Sequence, residues 1–187
     1  MKSLFKKAPN VTRRLRFLLP ALTFLAVIVL DRLSKEAALA SLRGEGRVVL
    51  LPGILGLFYT ENTGMAFGLF SGLPWLLFAL RIAGLIFLAV YLFSGNMQKP
   101  LGYLGLSMAI AGGISNVLDI LIYGYVVDMI EFLFVRFAIF NVADSFITVG
   151  AVLIGVYFVF QHKFSSKTGE AVKESKETHD DEKTDGE

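Results

Sequence analysis

Four long, predominantly apolar stretches punctuate this chain, at residues 15–33, 73–93, 101–119 and 137–160. A helix of roughly 20 such residues crosses a bilayer, so the pattern predicts four transmembrane helices in an all-α membrane protein. The connection after the first stretch reads differently. "LPGILGLFYTENTGMAFGLFSG" mixes Gly53, Gly56, Gly64, Gly68 and Gly72 with aromatic and aliphatic residues, which is too apolar for a solvated linker. Short extended pieces near 48–51 and 55–60, broken by glycine turns, predict a small β-rich platform on the outer membrane surface. No internal repeat is evident.

Composition agrees with the pattern. Of 187 residues, 55% are hydrophobic, and the mean hydropathy of +0.63 is that of a membrane protein. Arg13, Arg14 and Arg16 precede the first apolar stretch as in a signal peptide, but "DRLSK" follows it with no small-x-small cleavage pattern, so a retained span is predicted. From Ser165 onward the sequence is polar and highly charged, and it predicts a disordered cytoplasmic tail (165–187) behind a four-span domain (1–164).

The net charge of +2 conceals an asymmetry. Lys2, Lys6, Lys7, Arg13, Arg14 and Arg16 crowd the N-terminus, Lys99 lies between the second and third spans, and Lys163 and Lys167 follow the fourth. The positive-inside rule then places both termini in the cytoplasm. The connections 34–72 and 120–136 fall outside, although Arg43, Arg47 and Arg136 weaken the contrast.

Span order and orientation bring the polar residues together. Asp31 closes an outward-running first helix, Asp119 closes the third, and Asp144 opens the inward-running fourth, while Asn62 and Asp128 lie in the outer connections. From 145 to 160 there are 16 uncharged residues, so completing the fourth span carries Asp144 about one turn into the membrane. Gly112, Ser115, Asn116 and Asp119 share one helical face, and Asn141, Asp144 and Thr148 share another. A helix-capping role for Asp144 and an i,i+4 ion pair between Asp31 and Lys35 are the simplest structural readings. Asp128, however, sits in "YGYVVDMIEF", where a solvated loop would be polar.

The chain has no cysteine, and His162 and His179 do not form a paired motif, so thiolate chemistry is excluded and no metal site is predicted. What remains is a group of carboxylates with amides nearby. Two carboxylates a few ångströms apart share a proton, which is the general acid–base arrangement for peptide hydrolysis. The same residues in a membrane also fit a proton- or cation-coupled transporter, or a non-enzymatic assembly factor. Transport, however, predicts acids spread through the membrane depth.

In order along the chain, "DRLSK" (31–35), "ENTGMAFGLF" (61–70), "GGISNVLD" (112–119), "YVVDMIEF" (125–132) and "FNVADSFITVG" (140–150) resemble the five motifs of the lipoprotein signal peptidases, or signal peptidase II. The resemblance implies a membrane aspartyl endopeptidase of the bacterial inner membrane, with its active site at the outer face. Its partners would be prolipoproteins, cut before a diacylglyceryl-modified cysteine, and membrane lipid. It implies no nucleic acid, no cofactor and a monomer. Asp128 and Asp144 match the family's catalytic pair, and Asn141 the asparagine that orients it. Asp31, Lys35, Asn62, Gly64, Asn116 and Asp119 match residues that support the site or bind substrate. The chain departs from the family at Ser115, at Met129, and at Ile120, where an arginine usually follows the third-motif aspartate. Arg81 and Arg136 are the candidates to replace that arginine as the partner of Asp119.

Overall fold

The computed structural model describes residues 10–64, 73–94 and 99–160. The predicted tail and the second half of the glycine-rich motif, 65–70, lie outside the described residues. In chain order the elements are α1 (Asn10–Ser41), β1 (Val48–Leu51), β2 (Leu55–Asn62), α2 (Pro74–Phe93), α3 (Pro100–Tyr123), β3 (Val126–Phe132) and α4 (Val142–Phe160). The four helices are each long and apolar enough to cross a membrane, as the hydropathy pattern predicts.

The helix α3 is the hub. Of its apolar window 67% is buried inside the protein, against 11% for each of α1 and α2, whose large side chains such as Leu22, Leu25, Phe87 and Val90 point outward. Without a hydrophobic drive between helices in lipid, association depends on close packing and polar contacts. Glycine supplies the first. A Cβ built on Gly150 of α4 would lie 2.6 Å from the Gly105 carbonyl oxygen of α3, and one on Gly112 would lie 2.5 Å from that of Ala143. The two backbones therefore run nearly in contact, and their polar faces meet at one end of the bundle.

Two expectations need correction. The first helix does not close near Asp31 but continues for ten further residues, through Lys35 to Ser41. Its extension has a core of its own: Ala38 and Leu42 pack on Val127 and Met129. The segment around Asp128 is no loop either. It forms β3, the third strand of an antiparallel sheet ordered β1-β2-β3, with Thr60 opposite Asp128 and Asn62 opposite Val126. Both faces of its first half are covered, which explains an apolar run without the alternation of a half-exposed strand. The platform strands at 48–51 and 55–62 match the expectation.

Two of the three arginines that blurred the charge asymmetry, Arg43 and Arg47, pair with acids of this platform. Arg47 grips Glu131 through two hydrogen bonds of 2.5 and 2.8 Å, and Arg43 pairs with Glu61 at 3.0 Å. Each is matched by an acid on a neighbouring strand, so neither adds to the net charge of its side.

Substituting Gly150→Val should force α3 and α4 apart, costing about 1–3 kcal/mol or more for an overpacked contact with backbone. Thermal unfolding of the purified protein in detergent reads this as a lowered midpoint; an unchanged midpoint would contradict the close approach.

Candidate active site

The buried polar cluster is assembled from α1, α3, β3 and the entrance to α4. At its centre is Lys35, fully buried, whose Nζ lies 2.7 Å from Asp31 Oδ2, 2.7 Å from Asp119 Oδ2 and 2.9 Å from Asn116 Oδ1. An ammonium has three donors, and all three are used. The i,i+4 pair expected from sequence is present, and it is part of a larger network.

Asp31 spans two helices. Its Oδ2 also accepts from Ser115 Oγ at 2.6 Å, and its Oδ1 accepts the backbone N–H of Ala143 at 2.7 Å. Ala143 is the second residue of α4, so a side chain from α1 satisfies one of the free amides at that helix start. Ser115, one of the departures from the family pattern, is thus a working member of the network.

Asp119 receives Arg32 Nη1 at 2.7 Å on one oxygen, and Lys35 and the Val127 N–H, at 3.1 Å, on the other. The partner of Asp119 is therefore Arg32, and not Arg81 or Arg136 as expected. Arg32 also reaches Glu36 at 2.8 Å and the Tyr123 hydroxyl at 3.0 Å. Its place one residue after Asp31 gave no sequence signal of this contact, which depends on how α1 packs on α3. Through the Val127 amide this pair fixes the strand residue next to Asp128.

Asn141 lies between the remaining two acids. Its Nδ2 donates to Asp128 Oδ1 at 2.6 Å and also lies 3.1 Å from Asn116 Oδ1, while its Oδ1 accepts the Asp144 N–H at 2.8 Å. Asp144 Oδ2 in turn accepts the Asn141 N–H at 3.2 Å. This reciprocal pair is a capping box, with Asn141 at N-cap and Asp144 at N3. The capping reading of Asp144 is correct as far as it goes, but only one of its oxygens caps. The other accepts from Asn116 Nδ2 at 2.7 Å. Phe140, just before the cap, exchanges backbone hydrogen bonds of 2.7 and 3.0 Å with Ile130, which sets β3 beside the start of α4.

Asp128 is 1% exposed. Its second oxygen accepts from Asn62 Nδ2 at 2.8 Å, and Asn62 Oδ1 accepts the Gly64 N–H at 3.0 Å. Burial, reinforced by the Asp144 charge, pushes the Asp128 pKa up to about 7 against the opposing pull of Asn62, Asn141 and Lys35. Asp144 is half-buried and lines a cleft of about 520 Å³ together with Asn62, Gly64, Arg81, Phe140 and Thr148. All nine sequence-selected residues therefore fall in or against one cluster. Among the described residues, no group of three or more His, Cys, Asp or Glu side chains is arranged to hold a metal ion.

The profile of the family described as Signal peptidase (SPase) II matches residues 23–160. The chain belongs to the signal peptidase II family. Similar proteins include the lipoprotein signal peptidase of Lactobacillus johnsonii, 36% identical over 73% of this chain and 88% of that protein. That of Thermodesulfovibrio yellowstonii is 38% identical over 71% and 89%. A solved structure described as a bacterial membrane enzyme superposes with a TM-score of 0.69 at 26% identity, covering 76% of this chain and 88% of that one. Signal peptidase II is a peptidase family of the aspartyl type, so the chain is a membrane peptidase, and its fold matches that of a membrane enzyme.

The raised Asp128 pKa has a consequence for stability. An unfolded aspartate titrates near 3.9, so between about pH 4 and 7 the folded protein binds the extra proton, and stability falls as pH rises across that window. Thermal unfolding from pH 4.5 to 8 should show this decline in the parent and lose most of it in Asp128→Asn. Equal slopes in the two proteins would contradict the assignment.

Proposed function

We propose that Asp128 and Asp144 are the catalytic pair of this signal peptidase II, sharing one proton across Asn141. In the cluster two acids have cations and two do not, and this observation carries the reading. Lys35 and Arg32 neutralise Asp31 and Asp119, whereas among the described residues neither Asp128 nor Asp144 makes an ion pair. Two buried like charges on either side of one amide cannot both ionise readily. The pair titrates as a unit, and the acid and base roles belong to the pair.

As a member of this family, the chain removes signal peptides from prolipoproteins. The ionised partner takes a proton from water, whose oxygen attacks the scissile carbonyl carbon, while the protonated partner donates to the carbonyl oxygen. Collapse of the tetrahedral intermediate breaks the C–N bond. The proton taken from water goes to the departing nitrogen and one hydroxyl proton of the intermediate returns to the acid that donated it, leaving a carboxylic acid on the signal peptide, which ionises in water, and an amine on the mature chain. The precursor's cleavage position, before a diacylglyceryl-modified cysteine, is proposed from the motif resemblance. The cleft supports it: Phe140, Val149 and Ile139 give it an apolar wall beside Asp144, suited to a substrate whose lipid stays in the bilayer. The transporter alternative has no support, because the acids gather at one end of the bundle.

The lysine and arginine bias supports an orientation with this end outside and both termini in the cytoplasm. Cysteines placed at Asn62 and Met97 test it in intact cells: an impermeant maleimide should label the first and spare the second, and the reverse pattern would overturn it.

Asparagine cannot supply either ionisation state, so Asp128→Asn and Asp144→Asn should each lower the cleavage rate of a diacylglyceryl-modified precursor by several orders of magnitude. The double variant should be scarcely slower than either single one, as for groups that act together. Near-parental turnover by either single variant would leave Asp144 as a capping residue and refute the pair.

A further inference from the structure

We infer that Arg81 is a substrate-binding residue that donates to the scissile peptide carbonyl oxygen of the bound precursor. Arg81 is the eighth residue of α2, about 11 Å along the helix from its first residue at 1.5 Å per residue. A cation within a membrane-spanning segment is normally matched by an acid or lines a functional cavity. Among the described residues no carboxylate lies within ion-pair distance of this one. Its hydrogen bond there runs from Nη2 to the Gly64 carbonyl, at 2.9 Å. A guanidinium has five N–H donors in a fixed plane; among the described residues one of them is used, and Arg81 lines the cleft with Asp144.

The electrostatics point the same way. Arg81 interacts with both Asp144 and Asp128, yet it contacts neither. With one proton shared, the pair carries a single negative charge, and Arg81 balances it across the cleft. The space between them has an anionic base on one side and a cationic donor on the other. A carbonyl group fits that field: its carbon faces the water activated by the pair, and its oxygen lies where the protonated acid and a guanidinium N–H can both donate. Donors aimed where negative charge develops are most effective in a site that excludes water. The Gly64 bond gives Arg81 its orientation. Gly64 is bonded to Asn62 and Asn62 to Asp128, so the donor and the pair are held in one frame.

The inference rests on the peptidase reading, and the test separates the two. Affinity is measured in the full-length Asp128→Asn protein, which should bind without turnover, using a diacylglyceryl-modified lipopeptide spanning the cut, in detergent micelles. Adding Arg81→Met should weaken binding roughly tenfold or more, the size of a lost charge-assisted hydrogen bond. Arg81→Lys keeps the charge but not the planar fork, and should weaken it at least about threefold. A dialkyl ether analogue of the lipopeptide identifies the oxygen. With Arg81 on the scissile peptide carbonyl, both lipopeptides lose affinity equally on substitution; an ether that binds the parent as weakly as the ester binds Arg81→Met would put the guanidinium on the lipid ester and overturn the inference. Undiminished binding by either folded variant overturns the inference, since a residue that only positions Gly64 would alter kcat and leave affinity unchanged. Retained cleavage by Asp128→Asn would instead sink the catalytic pair.

Discussion

The site depends on the buried contact of Lys35 with Asp31, Asp119 and Asn116. Removing an ammonium from water is costly and is repaid only when every donor finds a well-placed acceptor, and here α1 and α3 together supply three within 2.9 Å. The acceptors are then fixed for further work. Asp31 has an oxygen left for the α4 amide of Ala143, Asp119 Oδ2 accepts the β3 amide of Val127 beside Lys35, and Asn116 has its Nδ2 for Asp144. One side chain from the first helix thus aligns three other elements. Its loss would leave two buried carboxylates without their shared partner, a change that typically costs about 3–5 kcal/mol.

That alignment separates acids that look alike in sequence. Asp31 and Asp119 each touch Lys35, and Asp119 touches Arg32 as well. Asp128 and Asp144 receive only neutral donors, from Asn62, Asn141, Asn116 and one backbone amide. Neutral donors hold a carboxyl in place without fixing its charge. The same fold therefore keeps one pair of acids permanently matched and leaves the other pair free to trade a proton. Burial of Asp128 opposes its ionisation, so the site is maintained at some expense of stability at neutral pH, as functional sites often are.

Much of this was legible in the sequence. Hydropathy located the four spans, helical phase put Gly112, Ser115, Asn116 and Asp119 on one face, and span order brought Asp31, Asp119, Asp128 and Asp144 to one end of the bundle. The reach of α1 was not legible, because past Asp31 its burial is against a sheet rather than lipid, and Ala38 and Leu42 are too sparse to signal a span. Strand β3 was hidden because "VVDM" is covered on both faces and lacks a period of two. The role of Arg32 could not be read either: an arginine beside an aspartate on a helix points to a different face, and only the packing of α1 on α3 shows that it meets Asp119. Arg81 stood out as a charge in a span, but its contact with Gly64 depends on where β2 ends.

The central claim is that one proton is shared between Asp128 and Asp144 near neutral pH while the other two acids are held in ion pairs with Lys35 and Arg32. Infrared difference spectroscopy of the protein in lipid, titrated from pH 5 to 9, tests it through the carbonyl stretch of a protonated carboxyl. The account predicts one such band that titrates near pH 7, disappears in Asp128→Asn, and is undisturbed by substitutions on the sheet's outer edge such as Arg47→Gln. No protonated carboxyl at pH 6, or a band that survives in Asp128→Asn unchanged, would contradict it.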